Sequence, residues 1–180
     1  LWLEFRRVLF RSDNADYTVI LKPYHGVYIY LNQGNNQLKQ SHFYPVHGCF
    51  KPAVKDFDLD GDLDIVTIAF FADFLNQPQE SLLYFENNKG DFQPYEMPGY
   101  DLGRWLTLDA ADADGDGDDD LVIGNLSMGP ESFMTQEMVK HFAAGPACMY
   151  LENKTQIGRA HVWTPVTVPY LVCRLLLEKK

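Results

Sequence analysis

Cysteine is scarce in this chain: Cys49, Cys148 and Cys173 are the three among 180 residues. An odd count excludes a fully paired disulfide framework. It leaves either a Cys49–Cys148 bridge or buried free thiols, the second being the expected state of isolated cysteines. Long apolar runs are missing too, none reaching 18 residues, so no transmembrane helix and no membrane insertion are expected. Cations are few, with 15 Lys and Arg against 25 Asp and Glu, and a nucleic-acid partner is not expected. No H-E-x-x-H, G-x-S-x-G or P-loop is present, and catalysis by this segment is not expected. His47-Gly48-Cys49 has no partner motif and reads as structural, and Glu80, Glu86, Glu96 and Glu131 are scattered, with no two marked as an acid/base pair. No signal peptide is legible at the N-terminus, which starts at Leu1.

What is abundant is aspartate at regular spacing. Asp56-Phe57-Asp58-Leu59-Asp60-Gly61-Asp62-Leu63-Asp64 returns as Asp112-Ala113-Asp114-Gly115-Asp116-Gly117-Asp118-Asp119-Asp120. In both copies acids stand at positions 1, 3, 5, 7 and 9, glycine at position 6, and an apolar β-prone pair follows. Five carboxylates so close repel one another unless a cation gathers them, and hard oxygen ligands at alternate positions suit Ca²⁺. Two Ca²⁺ sites are therefore expected. Asp56, Asp58, Asp60 and Asp64 would ligate through side chains and Asp62 through its backbone carbonyl; Asp112, Asp114, Asp116 and Asp120, with the carbonyl of Asp118, would form the second site. An EF-hand loop needs a bidentate acid at position 12 followed by a helix. Here position 12 is Thr67 or Ile123, inside the strand-like runs Ile65–Phe70 and Leu121–Gly124, so each loop closes at position 9 and enters a strand.

The loops punctuate a repeat. Ala15-Asp16-Tyr17 matches Ala72-Asp73-Phe74, Tyr28–Asn32 matches Leu83–Asn87, and Asp56 matches Asp112, at offsets of 57, 55 and 56 residues. A third copy begins with Cys148-Met149-Tyr150-Leu151-Glu152-Asn153. A period of this size indicates propeller blades or arrays. One period reads as metal loop, strand 65–70, excursion 71–81, strand 82–86, turn 87–90, strand 91–97 and strand 104–109. Asn87–Gly90 and Asn32-Gln33-Gly34-Asn35 supply the residues that tolerate left-handed backbone in a hairpin. Short apolar runs bounded by Gly, Asn, Asp or Pro, within 46% hydrophobic content, support an all-β fold of four-stranded antiparallel blades, a partial β-propeller. Arg104-Trp105 offers a ligand-binding edge or blade core, core being expected for Trp105.

One insertion departs from the repeat. Phe133, Met134, Met138 and Phe142 fall near helical spacing before Gly145-Pro146, which predicts a short helix near 132–144 that packs its apolar stripe on a blade edge or lines a binding face.

The ends differ from the middle. Residues 1–12 carry a net +2 and residues 157–180 a net +3, so that of the total of −10, residues 13–156 carry −15. Eleven of those negative charges lie in the two loops, so the acidity is local to the metal sites. The strings RRVLFRS and IGRAHVWTPVT resemble translated adapter read-through, and 1–12 and 157–180 are expected to be non-native tails flanking a 13–156 domain. The alternative is a terminal strand at each end.

The Asp-x-Asp-x-Asp-Gly-Asp-x-Asp loop running into a strand, the Tyr/Phe-x-Asn strand end and the period resemble the FG-GAP/VCBS-type repeat proteins, whose best-known members are the integrin α-subunit propellers. No Phe-Gly…Gly-Ala-Pro signature is legible, Leu102-Gly103-Arg104 being the nearest approach, which favours the VCBS-like branch. The resemblance implies a Ca²⁺-stabilised propeller in extracellular, cell-surface or periplasmic proteins, mediating adhesion or binding of a protein or glycan ligand. About two and a half blades would be present, the remaining blades of the same parent chain completing the ring. A propeller part of a larger extracellular enzyme, such as a polysaccharide lyase, and a structural spacer are the competing readings.

Overall fold

The computed structural model describes residues 7–11, 24–35, 37–126, 134–154 and 163–166. They form three antiparallel sheets, each a simple meander. The first contains β1 (Arg7–Arg11), β2 (Gly26–Asn32) and β3 (Leu38–Pro45). The second contains β4 (Cys49–Lys55), β5 (Asp64–Ala69), β6 (Leu82–Asn88) and β7 (Asp91–Glu96). The third contains β8 (Trp105–Ala111), β9 (Asp120–Asn125), β10 (Cys148–Asn153) and β11 (Trp163–Val166). Ala15-Asp16-Tyr17, one of the repeat landmarks, lies outside the described residues, as does Cys173.

The middle sheet is apolar on both faces along its inner strands β5 and β6, and their sequences show why. Successive side chains of a strand point to opposite faces, so a sheet covered on both sides needs near-continuous hydrophobic strands. In β5 all six residues are buried. Ile65 and Ala69 join the cluster shared with Val27, Ile29 and Val46 of the first sheet and its following turn. Val66 and Ile68 face the other way, into the cluster containing Trp105, Leu108, Leu121 and Leu151 of the third sheet. β6 alternates likewise, Leu83 and Phe85 to one side and Leu82 and Tyr84 to the other. Each of these large side chains contributes about 1.5–3 kcal/mol on burial, so the three sheets are held face to face by two apolar layers.

The strands 64–69, 82–88 and 91–96 fall where the repeat predicts them, but the strand at 105–111 pairs with β9 of the third sheet. The repeat therefore straddles the sheet boundary: the strand before each aspartate loop and the three after it make one sheet. The β6–β7 hairpin turns through Lys89 (φ 54°) and Gly90 (φ 100°), two consecutive left-handed residues as a type I′ turn demands. Asn87 Oδ1 accepts a hydrogen bond from Gly90 N at 2.8 Å. The residues 7–11 and 163–166 form the edge strands β1 and β11, pairing with β2 and β10.

The insertion forms helix α1 (Gln136–Ala144), capped by Thr135, whose Oγ1 accepts from Met138 N. Its apolar stripe meets the excursion that follows β5: Phe142 is buried against Phe74, ring centroids 5.1 Å apart, with Met134 and Met138 beside it. Phe133 lies outside the described residues. Between helix and excursion lies an open hollow of about 260 Å³, lined by Phe74, Pro78, Asp101, Glu137, Met138, His141 and Phe142. Cys49 and Cys148 are free thiols. Burial pushes the Cys49 thiol up to about 12, which makes it an inert core residue.

Candidate metal centre

Both aspartate loops occupy the same place in their sheets, the hairpin between the first and second strands, β4–β5 and β8–β9. The backbone curls in the same way in each. Positions 4 and 6 are left-handed in both copies: Leu59 (φ 60°) and Gly61 (φ 97°), Gly115 (φ 84°) and Gly117 (φ 101°). Two left-handed residues two positions apart fold the chain back so that side chains at positions 1, 3 and 5 converge.

The convergence is direct. One carboxylate oxygen from each of Asp56, Asp58 and Asp60 lies within 4.8 Å of the others, and so for Asp112, Asp114 and Asp116. Amides of the curled backbone hold these carboxylates in place. Asp60 N donates to Asp56 Oδ1 and to Asp58 Oδ1, both at 3.1 Å, and Gly61 N donates to Asp56 Oδ2 at 3.0 Å. In the second loop Gly115 N donates to Asp112 Oδ1 at 2.7 Å and Asp116 N to Asp114 Oδ1 at 3.1 Å. Local desolvation and the nearby Asp116 and Asp120 carboxylates hold the Asp114 carboxyl above its ordinary range, as like charges at close quarters require. Three hard oxygen donors per loop, crowded and negatively charged, fit a hard divalent cation such as Ca²⁺.

The remaining predicted ligands stand elsewhere. Asp62 is half-buried and its Oδ2 accepts from Lys89 N at 2.8 Å, while the Asp118 side chain is buried. Asp64 and Asp120, at position 9, are buried at the first residue of β5 and β9 and are not part of the triads. Each sits in the same cradle. Asp64 Oδ2 accepts from Phe57 N (3.1 Å) and from the Tyr84 hydroxyl (2.9 Å), and Oδ1 from Asn87 N (2.8 Å). Asp120 Oδ2 accepts from Ala113 N (3.0 Å) and the Tyr150 hydroxyl (2.8 Å), and Oδ1 from Asn153 N (2.9 Å). An ionised carboxylate has about four lone-pair sites, so these bonds leave each position-9 acid one direction open. Burial raises the Asp64 carboxyl to about 7 despite the donors from Asn87, Tyr84 and Phe57. Burial, together with the facing aspartates, raises both tyrosine hydroxyls, which keeps them protonated as donors.

Tyr84, Asn87, Tyr150 and Asn153 are the functional residues that reading the loops alone missed. Their signal was present in the matching runs Tyr84-Phe85-Glu86-Asn87 and Tyr150-Leu151-Glu152-Asn153, which serve as repeat landmarks because each must hold an aspartate 20 or 30 residues earlier.

Two other sequence candidates are structural. Glu80 is buried and its Oε2 accepts from His47 N (3.1 Å) and lies 2.7 Å from His47 Nδ1, tying the β3–β4 turn to the excursion. Arg104 is buried with its guanidinium 4.0 Å over the Phe70 ring, and Trp105 is fully buried. Arg104–Trp105 is thus blade core and not a ligand edge.

A family model for the FG-GAP-like repeat matches residues 10–67, from the end of β1 through the first aspartate loop into β5. No curated protein and no solved structure matches the chain. Among the described residues no helix is long and apolar enough to cross a membrane.

Proposed function

We propose that the chain is a Ca²⁺-stabilised, propeller-type binding module of an extracellular, cell-surface or periplasmic protein. The observation that carries this reading is the pair of carboxylate triads at equivalent hairpins of two stacked sheets, one within the FG-GAP-like match. Asp56, Asp58 and Asp60, and Asp112, Asp114 and Asp116, would hold the two ions; the open direction on Asp64 and Asp120 and the carbonyls of Asp62 and Asp118 would complete the oxygen set. A bound cation supplies positive charge that lets the triads ionise together and locks the β4–β5 and β8–β9 hairpins. Its role is structural, and the module presents a rigid surface to a protein or glycan ligand. The hollow between α1 and the excursion is concave and mainly apolar, with Asp101 and Glu137 among its lining residues, features that suit ligand capture.

Calorimetric titration of the metal-free chain with Ca²⁺ tests the reading. Two ions per chain are expected, falling to one in Asp56→Asn/Asp58→Asn. Absence of binding at millimolar Ca²⁺ would refute it. Screening the Ca²⁺-loaded protein on a glycan array tests the ligand class.

A further inference from the structure

The two loops are joined by a buried path of hydrogen bonds. Phe57 lies between the triad residues Asp56 and Asp58, and its N donates to Asp64 Oδ2. Its carbonyl accepts from Asn153 Nδ2 at 2.8 Å, a contact between residues 96 apart in sequence. Asn153 belongs to β10 of the third sheet, and its own N donates to Asp120 Oδ1 at 2.9 Å. The same Nδ2 also donates to Asp119 O at 3.4 Å. The path thus runs Asp64–Phe57–Asn153–Asp120, from the position-9 acid of one loop to that of the other. Phe57 and Asn153 are fully buried, and the Phe57 ring packs in the apolar layer with Tyr84, Leu121 and Leu151. The second loop has Ala113 where the first has Phe57, so the anchoring ring is special to the first copy. Lys55 Nζ and Asp119 Oδ1, 3.0 Å apart, form a parallel strut, but it is partly open to solvent and worth little.

From this geometry we infer that Asn153 couples the two aspartate loops, so that they take up divalent cations as one cooperative unit. The inference rests on the cation-binding reading proposed above. Fixing the Asp56–Phe57–Asp58 backbone around an ion fixes the Phe57 carbonyl. That carbonyl orients the Asn153 amide, whose backbone N–H aims Asp120 at the second loop. Ordering shared by both loops is then required once and not twice, which is positive coupling, and the coupling is reciprocal. A hydrogen-bonded path sealed from water transmits such positional restraint better than an exposed one. Through the Phe57 carbonyl and the Asp120 carboxylate Asn153 acts as a positioning residue.

The test is Ca²⁺ titration of the full chain by calorimetry in four forms: unaltered, Asn153→Ala, Asp114→Asn/Asp116→Asn to disable the second loop, and the combination. The unaltered chain is expected to fill with a Hill coefficient above unity. Disabling the second loop should weaken the first by roughly fivefold or more, and by less than twofold when Asn153 is already alanine. Asn153→Ala should fill both sites with a Hill coefficient near unity. A Hill coefficient of one in the unaltered chain, with first-loop affinity indifferent to Asp114→Asn/Asp116→Asn, would overturn the coupling while leaving two-site binding intact. So would an Asn153→Ala protein that binds more weakly at both loops but stays cooperative, since that marks a merely structural role. Should Asn153→Ala fail to fold by circular dichroism, the two forms that retain Asn153 still decide. No Ca²⁺ uptake by any form would instead defeat the underlying reading, and this inference with it.

Discussion

Leu59 carries the clearest sign of the loop's demands. Its φ of 60° places a side chain in the left-handed region where the second loop has Gly115 at 84°. Glycine at position 6 was legible because it occurs in both copies; the same need at position 4 was hidden because one copy meets it with leucine. Leu59→Gly is expected to stabilise the chain by about 1 kcal/mol, and Gly115→Leu to destabilise it by about as much, as read by urea unfolding. Asp64 makes a second prediction. Its carboxyl is raised from 3.8 to about 7, chiefly by burial. Its folded-state preference for the proton therefore favours folding below the unfolded value and is lost as pH rises toward 7. The dialysed, metal-free chain should lose stability between pH 4 and pH 7, and Asp64→Asn should flatten that slope in thermal melts. An unchanged slope would show that Asp64 is not the group responsible.

At the scale of elements, strand positions were readable because alternation and turn residues are local. The assignment of strands to sheets was not, since β8 follows β7 in sequence yet pairs with β9 across the second loop. The role of Tyr84 and Asn87 was equally hidden. Their partner Asp64 sits on a neighbouring strand, and no local pattern announces a contact made through register. Tyr84→Phe removes one donor from a buried carboxylate and is expected to cost about 1.5–3 kcal/mol, measurable by chemical denaturation in EGTA. The helix stripe was visible from spacing, but its landing place on Phe74 was not. Phe142→Ala should cost about 3–5 kcal/mol if the stripe is a structural staple; a loss under 1 kcal/mol would mean that α1 is held otherwise.

Across the whole molecule, two apolar layers stack three sheets, and the aspartate loops sit at equivalent corners of the second and third. The loops are the part that water and charge work against, because each gathers three carboxylates that repel when metal-free. Cation binding is therefore expected to be part of the fold's stability. Thermal unfolding of the full chain in millimolar Ca²⁺ and in EGTA is the most direct test. With free Ca²⁺ about 100-fold above Kd, each site contributes about 2.7 kcal/mol, so two sites should raise the midpoint by about 10 °C or more. An identical midpoint in Ca²⁺ and EGTA would contradict the account.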